Sequence, residues 1–476
     1  MSDTFIHIRR RVYRVCFFQE SDPVTPLSMR ATLNPVVSGR KYDVVVWGAT
    51  GFTGSLVAEY LAANYNQGGE SVRWAIGGRN AAKLQAVVTA LGGTATPDVL
   101  LADSADAESL RAMARQATVV ITTVGPYASY GAELVEACVR TGTHYVDLTG
   151  EPPFVRAMAD AHHEAAVASG AKIVHCCGFD SIPSDLGTLL LVDHFRGLAD
   201  APGTQTASVD FYMGAAKGGA SGGTLASAIG IFSLGLGELS KVADPYYLNP
   251  RGAAAGDVVG PAPRVADRKG LWYDGRVGAF TMPFVMAIIN TRVVRRSAAL
   301  ARLAGAGAGY GAQFRYQECM TCPPGPLGIL MGLLLPVCQP LFLLLCLFAP
   351  GRAVLRWALK AVGLAPGQGP SRHAQRTGFF KCKLLGVSEA APGKPARTAT
   401  ARVEGKEDPG YSGTAKMLTE SALALALHGD ELGYKGGGVL TPAVAIGMPL
   451  VERLRRKGFV FRVEPGAPTT DKPKGQ

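Results

Sequence analysis

The sequence predicts an α/β protein: a doubly wound parallel sheet, a second mixed α+β domain, and a C-terminal helical segment. Three observations predict it. From residue 41 to about 180, short apolar runs alternate with amphipathic stretches at intervals of roughly 21 to 29 residues. The first run stops abruptly at three glycines, Gly48, Gly51 and Gly54. After Gly178 the rhythm changes to segments in which apolar and polar residues alternate.

At 476 residues the chain is long enough for two or three domains with cores of their own. Residues 1–40 do not read as part of a fold. They carry Arg9, Arg10, Arg11 and Arg14 with few acids, as a disordered or targeting extension would. The apolar runs then follow: DVVVW (43–47), VRWAIG (72–77), DVLLA (98–102), ATVVITTV (117–124), THYVDLT (143–149) and AKIVHCC (171–177). Runs without alternation suit strands buried on both faces, and a helical stretch after each run makes the sheet parallel. Right-handed crossovers put every carboxyl end on one edge, where ligands bind. This domain spans 41–200.

The glycines explain what that edge would hold. In GATGFTG the strand runs into Gly48, and a helix begins near Phe52. Such a loop, comprising Gly48, Ala49, Thr50, Gly51, Phe52, Thr53 and Gly54, turns backbone N–H groups toward a phosphate. Gly48 permits the turn, Gly51 the approach of a pyrophosphate, and Gly54 close packing of helix on strand. The context of strand, loop and helix predicts a Rossmann-type dinucleotide site. The second strand selects the coenzyme: it ends in Gly77, Gly78 and Arg79, where NAD enzymes usually carry a carboxylate. A guanidinium suits a 2′-phosphate, with Lys83 one turn later, so NADP(H) is favoured over NAD. Asp103 and Ser104, after the third strand, fall near the adenosine. Gly125, Pro126 and Tyr127, after the fourth, fall near the nicotinamide.

Beyond Gly178, GFDSIPSDLGTLLLVDHF reads as a turn into a helix, with Pro183 in the first turn. ASVDFYMG, FKCKLLGVSE and ATARVEGKE alternate, predicting a largely antiparallel sheet in a second domain over 201–415. Residues 252–270 read as a Gly, Ala and Pro-rich loop. An insertion at 327–349 is apolar apart from Gln339, and no charge falls between Glu318 and Arg352. It is long enough to span a bilayer, but Pro336 and Pro340 favour two short helices dipping into one leaflet. Arg352, Arg356 and Lys360 beyond it suit anionic lipid. Residues 416–465 predict helices packing on the first domain, and 466–476 a tail.

Composition narrows the function. The net charge of +11 suits an anionic partner, but the basic residues are mostly scattered and no basic run interleaves with aromatics, which argues against nucleic acid. The nine cysteines lie mostly in apolar runs, and the one CxxC, Cys319 and Cys322, has no second pair at zinc spacing, so no metal is expected. No nucleophile elbow accompanies the motifs.

Taken in order, GATGFTG, GGRN, VGPY, YVDLTGE, GFDSIPSDLG and GGVLTPA resemble the saccharopine dehydrogenase-like oxidoreductases, the group that includes the trans-acting enoyl reductases. The resemblance covers about residues 41–465. It implies an NADP-binding domain, a second domain facing it for substrate and dimerisation, and a C-terminal segment returning to the first. It also implies one of two chemistries: cleavage or formation of an amino-acid adduct, or reduction of a double bond in a polyketide-derived lipid. Eukaryotic relatives are associated with lipid droplets and mitochondria.

The apolar insertion points to the lipid branch, and to a membrane or lipid-droplet surface as partner. A saccharopine-type amino-acid dehydrogenase, or an NADP-binding lipid-associated protein without catalysis, is the alternative. An amino-acid substrate with several carboxylates calls for clustered arginines, and Arg292, Arg295 and Arg296 form the one close group in the second domain. Reduction of a polarised double bond needs a proton donor. Asp180, Asp147 and Tyr127 are the candidates at strand ends. Asp147 and Glu151 lie four apart across a turn, so one is expected to cap the following helix while the other faces the cleft. His175 is expected to be a core histidine.

Overall fold

In the computed structural model, which describes residues 39–468 apart from 66–69, 94, 219–228, 231–232, 234, 252–263, 306–308, 362–368 and 391–392, the first apolar run is an inner strand of a seven-stranded parallel sheet, next to its central strand. The expected extension therefore lies almost wholly outside the described residues, as does much of the 252–270 loop. The strands are β1 (Tyr42–Trp47), β2 (Trp74–Gly78), β3 (Asp98–Leu101), β4 (Ala117–Thr122), β5 (His144–Val146), β6 (Lys172–Val174) and, from far along the chain, β13 (Gly438–Leu440). Val44, Val45 and Val46 are all fully buried, which is why the run does not alternate. The order is β13-β6-β5-β4-β1-β2-β3, so the direction of winding reverses between β1 and β4. That reversal opens the crevice where ligands bind in such sheets.

Helices α1 (Phe52–Tyr65), α2 (Ala81–Ala90), α3 (Ala107–Ala114), α4 (Tyr127–Tyr130), α5 (Ala132–Thr141), α6 (Pro152–Ser169) and α7 (Ile182–Arg196) follow the strands. Seven strands replace the six read from the sequence. The extra one, GVL, has only three residues and joins β6 by pairing Val439 with Ile173.

The second sheet has the order β14-β12-β11-β7-β10-β9-β8. Its strands are β7 (Thr206–Lys217), β8 (Trp272–Asp274), β9 (Ala279–Met282), β10 (Arg315–Thr321), β11 (Phe379–Ser388), β12 (Arg397–Gly405) and β14 (Val460–Pro468). Only β7 and β10 run parallel. Alternation in FKCKLL sends Phe380, Cys382 and Leu384 to the core and leaves Lys381 exposed. Strand β14 extends three residues into the stretch expected to be a tail, and it belongs to this sheet.

Between the two sheets lie α7 and α9 (Ala287–Leu303), and α8 (Leu236–Val242) precedes α9. A Cβ at Gly187 would lie 3.0 Å from Leu384 and 3.1 Å from Val403, so glycine lets α7 settle directly on the second sheet. Helix α13 (Thr414–Leu427) is buried nearly all round against α1, β1 and β4, with α14 (Pro442–Ala445) and α15 (Met448–Arg456) following it. Its Glu420 is fully buried, and its charge is met by Arg453 Nε at 2.8 Å and by the hydroxyls of Tyr60 and Tyr65. A buried carboxylate needs that complete set of partners.

The apolar insertion forms α10 (Pro326–Leu347) and α11 (Ala349–Ala361), with α12 (Arg372–Thr377) after it. The break does not fall at Pro336 and Pro340, both of which remain inside α10. It falls at Phe348, whose backbone is extended (φ −107°, ψ 140°). Pro350 then stands in the first turn of α11, where a missing N–H costs nothing. Arg352 closes the end of α10 by donating to the carbonyls of Cys346 and Leu347 at 2.9 and 3.0 Å. One side of α10 is anchored: Gly328, Gly332 and Cys346 are buried, and a Cβ at Gly332 would strike Leu271 at 2.5 Å. The other is open, with Leu333, Leu341 and Leu344 each more than half exposed, as are Phe348 at the break and Trp357 on α11. Among the described residues no helix is long and apolar enough to cross a membrane.

Candidate active site at the carboxyl edge of the parallel sheet

The β1–α1 loop packs without room for side chains. Gly48 adopts φ +88°, and a Cβ there would also meet Val124 Cγ2, on the β4 loop, at 2.5 Å. A Cβ at Gly54 would lie 2.2 Å from Gly48 O, so the first turn of α1 rests directly on the end of β1. Gly51 N–H donates to Gly48 O at 2.9 Å, which leaves the first-turn amides from Phe52 to Gly54, without helical acceptors, to meet an anion. Gly51 and Thr50 are exposed, Phe52 and Thr53 half-buried, and Ala49 buried.

Arg79 and Lys83 are both exposed, and neither forms an ion pair among the described residues. Asn80 between them caps α2 by accepting from Lys83 N at 2.9 Å. A guanidinium with no ion pair among the described residues just after β2, together with a loop whose glycines leave no room for a Cβ, fits the 2′-phosphate and diphosphate of NADP(H). Asp103 Oδ1 accepts from Ala105 N, an Asx turn that shapes the β3 end, with Ser104 half-buried in it. Gly125 is exposed and Pro126 half-exposed at the end of β4.

Tyr127 points inward instead of toward the cleft. It is buried, its hydroxyl donates to Thr122 O at 3.2 Å, and its ring packs on Phe154. Glu151 accepts from the amides of Tyr127 and Ala128 at 3.1 and 2.9 Å. It therefore caps the preceding helix α4, not the following one.

Asp147 is fully buried and receives four hydrogen bonds: Tyr145 OH at 2.9 Å, His175 Nδ1 at 2.6 Å, Thr149 N at 3.1 Å and Cys176 N at 3.0 Å. Its main-chain oxygen takes Cys177 N at 2.7 Å. Together these bonds fasten the ends of β5 and β6 and hold Cys176 at φ +64°, a conformation a side chain seldom takes. Asp147 thus positions the loop after β6. His175, read from the sequence as a core residue, is buried as expected, but its pairing with Asp147 was not foreseen. Its Nε2 has no partner among the described residues. The signal was available: each is the first residue beyond two strands that neighbour one another.

Asp180 lies at the end of that loop. It is half-buried, its Oδ2 is 3.6 Å from where a Cβ of Gly150 would stand, and Met286, preceding α9, adjoins the same point. Burial alone raises its pKa to about 6, and no hydrogen bond or ion pair holds the carboxyl among the described residues. A carboxyl so poised can take up and release a proton near neutral pH.

The arginine cluster is not available to a substrate. Arg292, Arg295 and Arg296 are each at most 3% exposed. Arg292 and Arg295 share Asp267 at 2.6 and 2.8 Å, and Arg296 donates to Leu248 O and Val439 O at 2.5 and 2.7 Å. Cys319 and Cys322 are buried free thiols.

Comparison with known proteins accords with this geometry. The family model of the saccharopine dehydrogenase NADP-binding domain matches residues 44–174, from β1 to β6. A candidate trans-acting enoyl reductase of Mycobacterium tuberculosis is 40% identical over 425 residues, covering 88% of this chain and 96% of that protein. A trans-acting enoyl reductase of Mycobacterium leprae is 37% identical over 434 residues, covering 89% and 97%. The apo saccharopine dehydrogenase (L-Glu forming) of Saccharomyces cerevisiae superposes with a TM-score of 0.50 at 14% identity, over 90% of this chain and 100% of that one. That likeness is one of fold.

Proposed function

We propose, from the premise that this chain belongs to the saccharopine dehydrogenase-like family that includes the trans-acting enoyl reductases, that it reduces a polarised double bond in a lipid or polyketide-type substrate. NADP is the family's coenzyme, and the substrate would be met at a membrane or lipid-droplet surface. The observation that carries the reading is Asp180: a carboxyl without a partner among the described residues, raised to about 6, at the edge that bears the glycine cradle.

The cradle from Gly48 to Gly54 and the guanidinium of Arg79 would hold the coenzyme. When bound, NADPH supplies the hydride for the electrophilic carbon. Asp180 gives its proton to the neighbouring carbon and recovers one from solvent. Asp147 and Glu151 keep the two flanking loops in place. Substrate class follows from what the second domain offers: its clustered arginines are committed to carbonyls and Asp267, while the open side of α10 and α11 is apolar. A polycarboxylate has little to recognise there. Lys360, exposed on α11, would face anionic headgroups, while Arg352 is engaged with the end of α10.

The test follows loss of reduced nicotinamide by the purified protein with α,β-unsaturated lipid thioesters, and NADP+ reduction with saccharopine. Turnover of the unsaturated lipid, falling about a hundredfold in Asp180→Asn, is the expected result. Oxidation of saccharopine would favour the amino-acid reading, and coenzyme binding without turnover of either would overturn both.

A further inference from the structure

Asp180 has no hydrogen-bond or ion-pair partner among the described residues, so its direction depends on the turn that carries it. Within that turn the amides of Ser181 and Ile182 donate to Gly178 O at 3.3 and 3.0 Å. Gly178 is itself confined, since a Cβ there would lie 3.1 Å from Thr414 and 3.3 Å from Leu148. The next side chain leaves the first domain. Ser181 Oγ donates to Asn290 Oδ1 at 3.1 Å, and Asn290 Nδ2 donates to Glu318 Oε1 at 2.7 Å. Tyr316 OH reaches Glu318 Oε2 at 3.1 Å, and Ser184 Oγ stands 3.4 Å from both oxygens. Ser181, Ser184, Asn290 and Glu318 are at most 4% exposed.

This chain of bonds runs from the first turn of α7, through α9, to β10 at the heart of the second sheet. It crosses between the two domains and ends beside Asp180. Burial raises Glu318 to about 8, so the chain places no charge between the domains near neutral pH. Apolar side chains could fill the same space, but they would not fix the turn in direction.

We propose that Glu318, acting through Asn290 and Ser181, is a positioning residue that holds the Asp180 turn against the second domain; this rests on the reading of Asp180 as proton donor. Domain placement and the aim of the proton donor are then one property, set by three side chains that do not touch substrate.

Ser181→Ala removes a single oxygen and is the mildest break. It and Asn290→Ala should lower kcat about tenfold while NADPH affinity stays within about twofold, because the cradle is untouched. Glu318→Gln keeps an acceptor for Asn290 and should stay within about twofold of the parent, whereas Glu318→Leu should fall with Ser181→Ala. The second readout needs no turnover: the infrared carboxyl band of Asp180, identified by subtraction of Asp180→Asn. In Ser181→Ala its midpoint should drop by about one pH unit as the turn loosens into solvent. Folded Ser181→Ala with the parent's kcat and midpoint would overturn the proposal. If Asp180→Asn leaves turnover intact, the proton-donor reading fails instead, and the band still reports whether Ser181 sets the environment of Asp180.

Discussion

Arg79→Ala should separate the two nicotinamide coenzymes. The side chain is exposed and forms no ion pair among the described residues, so its removal leaves no buried charge and opens no cavity. Stability should therefore change by less than about 0.5 kcal/mol. Toward NADPH the loss is one charge-assisted contact to a 2′-phosphate, worth about 1.5–3 kcal/mol when formed. Exposure argues for the lower half of that range, because solvent screens the pair and two unit charges 4 Å apart gain only about 1–4 kcal/mol at such dielectrics. A value of about 2 kcal/mol corresponds to roughly thirtyfold weaker NADPH binding. NADH, which lacks the phosphate, should change less than about twofold. Calorimetric titration of both coenzymes against both proteins measures this directly. Added salt should weaken NADPH binding by the parent protein more than by the variant. An equal loss for NADH and NADPH, or no loss for either, would refute the assignment of Arg79 to the 2′-phosphate.

Two further outcomes are expected. Burial raises Glu318 to about 8, so this carboxyl holds more proton in the folded protein than in the unfolded chain and its contribution to stability falls as pH rises from about 4 to about 8; the stability of the parent relative to Glu318→Gln should therefore fall over that window, and a difference that rises with pH would contradict it. Charging the open side of the helical hairpin by Leu344→Glu and Trp357→Glu should cut co-sedimentation with anionic vesicles at least about tenfold, with NADPH affinity unchanged.

The parts that were legible in the sequence are those whose physics is local. Gly48, Gly51 and Gly54 declare a strand, a turn and a close helix within eleven residues, and Arg79 follows the end of the next strand. Asp147 and His175 lie 28 residues apart, and only the adjacency of β5 and β6 brings them together. Ser181 and Asn290 are 109 apart and belong to different domains. Tyr127 occupies a strand-end position as expected, yet nothing local reveals that its phenol turns back to Thr122 O. Arg292, Arg295 and Arg296 look like a cationic patch in one dimension. In three, they fasten the segment around Val242–Leu248, and β13, to α9.

The buried carboxylates make a final argument, because each reveals its role by what it holds. Asp147 takes four donors and fixes two loops. Glu151 takes two amides and starts α4. Asp185 accepts from Ser297 Oγ and Ala443 N, tying α7 to the C-terminal segment. Glu420 is met by Arg453 and by two tyrosines of α1. Every one of these groups is compensated, as taking a carboxyl out of water requires. Asp180, half-buried beside them, has no compensating bond among the described residues, and desolvation raises its pKa to about 6. A structural role would be served better by asparagine, which could donate as well as accept and carries no ionisation to suppress. The uncompensated acid is what the proposed role requires, since a proton donor must release its proton, and it stands at the same carboxyl edge of the sheet as the glycine loop.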